Sequence, residues 1–63
     1  MSVKRNELLR HLEKQGCFLK RHGAKHDLFM NLDRNLATTV PRHPRLDKSL
    51  CDAIFKQLGI DKL

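Results

Sequence analysis

Leu8, Leu9 and Leu12 fall at the three- and four-residue spacings of one helical face, with Lys4, Arg5, Arg10, Glu13 and Lys14 around them. The pattern predicts a helix over residues 2–15, with Ser2 as N-cap and Gly16 as the C-terminal stop. The period then changes. Residues 17–21 read as a short strand, Gly23 marks a turn, and residues 26–32 read as a second strand. In that strand His26, Leu28, Met30 and Leu32 alternate with Asp27, Phe29 and Asn31. Apolar residues occur on both faces, so the pattern leaves open which face meets the core. Asp33-Arg34-Asn35 has turn chemistry, and residues 36–40, with Thr38 and Thr39, read as a third strand ending at Pro41.

Pro41-Arg42-His43-Pro44 makes a stiff connector, and Asp47 is placed to cap a second helix carrying Leu50, Ile54 and Leu58 on one stripe, flanked by Cys51 and Phe55. Gly59 stands at its C-terminal end. The predicted fold is α+β: a helix, a three-stranded antiparallel sheet and a helix, with both helices on one face so that their stripes are buried together. With 63 residues, one domain spanning 1–63 is expected. A chain of that size folds with a net stability of only about 3–5 kcal/mol and has no room for a deep cavity. An active site would lie open on the surface, which suits a polymer better than a small metabolite.

Charge narrows the partner. Thirteen Lys and Arg against seven Asp and Glu give a net charge of +6, which favours polyanions through phosphate neutralisation. Three Phe, with no Tyr or Trp, argue against an aromatic stacking platform and for contacts to backbone phosphates and sugars. Cys17 and Cys51 form no C-x-x-C pair, and there is no apolar run of signal-peptide or membrane length. The expectation is a cytoplasmic protein with reduced thiols and no membrane partner.

Four histidines, His11, His22, His26 and His43, are many for this length. An imidazole serves as acid or base near neutrality. RNA carries its own nucleophile, the 2′-hydroxyl, so cleavage needs proton transfer and positive charge on the phosphate and little else. His26 is the best placed, opening a strand just after the Gly23-Ala24-Lys25 turn. Lys20, Arg21 and Lys25 supply charge nearby, and Gly23 lets a ligand approach the backbone. Arg42 and His43, held in the proline-bounded connector, are candidates for contact with the RNA strand. His22 is open between a second proton-transfer group and a surface residue, and His11, among polar neighbours, reads as solvated. No spacing of Cys and His matches a zinc pattern, and no glycine loop cradles a phosphate, so neither a metal nor another cofactor is expected.

Three segments resemble the HicA toxins of toxin–antitoxin pairs. They are Glu13-Lys14-Gln15-Gly16 at the end of the first helix, Gly23-Ala24-Lys25-His26-Asp27, and Val40-Pro41-Arg42-His43-Pro44 running into Ala53-Ile54-Phe55-Lys56-Gln57-Leu58-Gly59. The resemblance implies a fold like the double-stranded-RNA-binding domain. It also implies ribosome-independent mRNA endoribonuclease activity, His26 as the catalytic histidine, and neutralisation by a HicB-type antitoxin. Many such toxins have Gly-Ser directly before that histidine; here Ala24-Lys25 follow Gly23, and Lys25 is expected to replace the lost hydroxyl contact. The same charge and fold would also suit a non-catalytic RNA-binding module, or an adaptor whose basic surface meets an acidic protein. Toxicity relieved by His26→Ala, or salt-sensitive RNA binding, separates these readings.

Overall fold

The computed structural model describes residues 2–63. The elements run β1 (Ser2–Lys4), α1 (Arg5–Lys14), β2 (Cys17–His22), β3 (His26–Asn31), β4 (Leu36–Pro41), β5 (Arg45–Asp47) and α2 (Lys48–Leu58). The three-stranded antiparallel sheet has the order β2-β3-β4, so the architecture is the α+β arrangement expected. Leu8 and Leu12 of α1, Cys51, Ile54, Phe55 and Leu58 of α2, and Cys17, Phe29 and Val40 of the sheet are buried in one cluster. Burial of both stripes against the same sheet face is what holds two short helices that would be marginal alone.

Two differences from the sequence reading lie at the helix starts. Residues 2–4 do not begin the first helix. They form β1, which pairs antiparallel with β5 through Ser2–Asp47, Val3–Leu46 and Lys4–Arg45. Ser2 is therefore no cap. Lys4 occupies the cap position with no side-chain bond, and the N–H of Arg5 donates instead to the Pro44 carbonyl at 2.9 Å. A three-residue strand whose partners lie 41 to 45 residues away has too little local pattern to be read from the sequence. Asp47 does stand at the N-cap of α2, but its side chain makes no cap hydrogen bond.

The C-terminal end of α2 follows its sequence signal closely. Gly59 adopts φ +67°, its N–H donates to the Lys56 carbonyl, and Ile60 donates back to Phe55. This pairing closes the helix, and Ile60 packs against the core cluster. The last helical carbonyl, that of Leu58, accepts the Asn31 side-chain amide at 2.8 Å.

The face left open by the periodicity is now fixed. Asp27, Phe29 and Asn31 point toward the helices and are buried, while His26, Leu28 and Met30 lie on the opposite, open face. The two inward polar residues on β3, and Thr38 on β4, are tolerated because each has a partner: Asn31 on α2, the Thr38 hydroxyl donating to Oε1 of the Gln57 side chain, and Asp27 on two arginines. Leu50, on the predicted α2 stripe, is 38% exposed. His11 is not simply solvated: its Nε2 lies 2.6 Å from the Asp61 carbonyl, and its ring meets Phe55 edge-on at 5.1 Å. Cys17 and Cys51 are buried free thiols, both pushed up in pKa by burial. No helix among the described residues is long and apolar enough to cross a membrane.

Candidate active site at the β2–β3 turn

The β2–β3 hairpin closes through a single tight contact: the N–H of Gly23 donates to the carbonyl of His26 at 2.7 Å. A Cβ on Gly23 would lie 2.6 Å from that same oxygen, so only glycine fits. The close approach expected at Gly23 is thus to its own chain, and it fixes the start of β3, where His26 stands.

Register decides what surrounds His26. β2 pairs with β3 through Phe18–Met30 and Leu19–Phe29, then, after a bulge that leaves Lys20 as the extra residue, through Arg21–Leu28 and His22–Asp27. Paired residues share a face, so Arg21 stands with Leu28 on the open face and His22 stands with Asp27 on the helix-facing side. His26 pairs with Pro41 on β4, and Leu28 with Thr39. Arg21, Gly23, Lys25, His26, Leu28 and Thr39 together line an open depression of about 390 Å³. The His26 side chain is exposed there and makes no hydrogen bond to another described residue. An exposed imidazole between a guanidinium and an ammonium can exchange a proton with, and attract, a bound phosphate.

Of the residues singled out from the sequence, the structure brings Arg21, Lys25 and His26 together. Lys20 is exposed on the adjoining bulge. His43 is exposed in the connector and does not line the depression. Arg42 has a different occupation. Its Nη2 donates to the Gly23 carbonyl and to Asp27 Oδ1, both at 2.7 Å, and its Nε donates to Asp27 Oδ1 at 2.9 Å. The guanidinium therefore ties the connector after β4 to the hairpin turn and holds the turn in shape.

Asp27 is the residue that sequence reasoning missed. Its side chain is 8% exposed, and its Oδ2 accepts Arg5 Nη2 at 2.7 Å while Oδ1 accepts both Arg42 donors and lies 2.8 Å from His22 Nδ1. Hydrogen bonds from Arg42 first, then from His22, hold its carboxyl well below the usual carboxylate range. The available signal was a carboxylate beside His26 in a chain rich in cations; nothing local said that it faced inward. A group with a depressed folded-state pKa stabilises the fold above its unfolded pKa, and that contribution is lost as pH falls. Denaturant unfolding from about pH 7 down to about pH 3 should show stability declining below roughly pH 4. Asp27→Asn should be less stable at neutral pH and decline less on acidification. An unchanged acid slope in that variant would show that other carboxylates carry it.

Among the described residues, no group of three or more His, Cys, Asp or Glu side chains is placed to hold a metal ion. No curated protein and no solved structure matches the chain. The model of the family described as the HicA toxin of bacterial toxin–antitoxin systems matches residues 5–60, from the first residue of α1 to just past the Gly59 cap of α2. The turn, the depression and the Arg42 connector all fall within that span, and the chain belongs to the HicA toxin family, the toxin of a toxin–antitoxin module.

Proposed function

We propose that this toxin is a ribosome-independent mRNA endoribonuclease with His26 as a general acid/base, neutralised by a HicB-type antitoxin. The observation that carries the reading is the exposed His26 imidazole in an open depression flanked by Arg21 and Lys25. The depression is open to solvent on the sheet surface, and the net charge of +6 draws RNA in. Arg21 and Lys25, with Lys20 beside them, hold the phosphate. His26 moves a proton while the 2′-hydroxyl attacks, and one positioned acid or base is worth about 10²–10⁴-fold in rate. Arg42 acts indirectly by holding the turn, and His43 is placed to touch the strand farther along.

The antitoxin reading has the same physical basis. A partner with acidic groups over Arg21 and Lys25 would cover His26 and, by binding only the folded form, would stabilise a marginal domain.

The purified chain, incubated with an mRNA in the absence of ribosomes, should cut it internally, and a cognate HicB-type protein should stop the cleavage. With three cations on single-stranded phosphates, log affinity should fall with log salt at a slope of about −2. RNA binding with that slope but no cleavage would replace the enzyme with an RNA-binding module. Absence of salt-sensitive RNA binding would leave a protein-interaction adaptor.

A further inference from the structure

The helices cover one face of the three-stranded sheet and leave the other bare. The depression that holds His26 is only one end of that bare face. Leu28, which lines it, is half-buried, and two residues farther along β3 Met30 is half-buried as well. Met30 pairs with Phe18 on β2 and with Ala37 on β4, so these side chains form one apolar patch continuous with the depression. Of the three Phe, Phe29 and Phe55 are buried, whereas Phe18 is 43% exposed. One accessible ring is no platform for a run of bases, but it is a seat for one.

The bulge in β2 sets the composition of this face. Phe18 and Arg21 are three apart in sequence, and regular alternation would turn them to opposite sides. With Lys20 as the extra residue, Phe18 stands beside Met30 and Arg21 beside Leu28, both on the bare side. Ring and cation are thereby brought to one surface. The only acidic residue in β2, β3 and β4 is Asp27, which faces the helices. No carboxylate on the bare face repels a phosphate chain.

A strand rises about 3.4 Å per residue, so Leu28 lies about 7 Å and Met30 about 14 Å from His26 along β3. Those steps match successive nucleotides of an extended strand whose phosphate sits at His26. Phe18, Leu28, Met30 and Ala37 offer no charge and no side-chain donor, so a phosphate over them would lose its partners. The apolar part of a nucleotide is the face of its base, and both an aromatic ring and a thioether pack well against a π-face. A base is free to lie on a sheet only when it is unpaired.

We infer that Phe18 and Met30, with Leu28, form a base-binding subsite for single-stranded RNA, seating the bases next to the phosphate held at His26; this rests on the endoribonuclease reading above. The subsite positions the strand and selects unpaired RNA, while His26 keeps the proton transfer.

The test starts from a single-stranded RNA with one mapped cut, in which each nucleotide flanking the cut is replaced in turn by an abasic ribose. The 2′-hydroxyl and the phosphates are kept, so only the base is lost. For the parent chain, removing a base on one side of the cut should lower kcat/KM by about tenfold. Phe18→Thr and Met30→Thr keep strand propensity and charge. On the intact RNA each should cause a similar loss, carried by KM, with kcat, salt slope and melting midpoint held. Base removal should then cost these two variants little more, and Phe18→Tyr should behave as the parent.

Abasic substrates that are all cut at the parent rate would overturn the subsite without any variant. Losses from Phe18→Thr and from base removal that simply multiply would overturn it too. So would normal RNA cleavage by both substitutions with weakened inhibition by a HicB-type protein, which would give the face to a protein partner. A parent chain that cuts no RNA would remove the nuclease reading, and binding would then decide the subsite. A ribose–phosphate strand without bases should bind about tenfold more weakly than RNA of the same length; equal affinity would overturn the assignment.

Discussion

Replacing His26 with alanine should lower RNA cleavage by about 10²–10⁴-fold while leaving the melting curve and the salt dependence of RNA binding where they are. The two halves of that expectation come from different observations. The loss follows from the position of the imidazole in the depression with Arg21 and Lys25. The unchanged fold follows from what holds the turn: the backbone carbonyl of His26 accepts from Gly23, and that group survives any side-chain replacement. The side chain itself is exposed and bonded to no described residue, a setting in which substitutions usually change stability by under about 0.5 kcal/mol. Cleavage assays with the variant at equal RNA occupancy give the answer. If cleavage persists at the parent rate, another group does the chemistry; if RNA binding collapses with it, His26 is a contact residue.

Phe55→Ala should go further and unfold the domain. Phe55 is 2% exposed, lies within the core cluster shared by both helices and the sheet, and stacks edge-on against His11. Truncating a buried Phe costs about 3–5 kcal/mol, which matches the entire net stability, about 3–5 kcal/mol, that a core this small supplies. The far-ultraviolet circular dichroism of the variant should show no cooperative transition at room temperature and above. Leu50→Ala, four residues before Ile54 on the same helix, is the matching control. Its side chain is 38% exposed and should cost about 1 kcal/mol or less. Cooperative melting of Phe55→Ala within a few degrees of the parent would mean that the core holds together elsewhere.

The comparison of Leu50 with Phe55 shows where periodicity stops being informative. Spacing correctly marked α2 and put Leu50, Ile54 and Leu58 on one stripe, but how far a stripe is covered depends on its partner, and the sheet reaches only part of it. The α+β order was legible because helix and strand periods differ and because Gly16, Gly59 and Pro41 punctuate the chain where elements end. The direction of β3 was not legible. Asp27 and Asn31 have the polarity of an outward face, and they point inward only because Arg5, Arg42 and the end of α2 come from distant parts of the chain to meet them. The same holds for β1 and β5, whose partners are remote. At the site, His26, Arg21 and Lys25 were legible as neighbours in sequence. The occupation of Arg42 was not, since a surface arginine in a stiff connector looks free until its carboxylate is found.

The bulge at Lys20 has a consequence for how the protein keeps company with itself. β2 is an outer strand of the sheet, and a regular, flat outer strand offers its unpaired amides to any similar strand. The extra residue kinks that border and crowds two cations, Lys20 and Arg21, onto it, so a second copy would meet both a mismatched spacing and like charge. On the far border β4 ends in Pro41, which has no N–H to offer. Both margins are thereby made poor templates for edge-to-edge growth, and the Leu28 and Met30 surface can stay uncovered without the small sheet extending into a fibre.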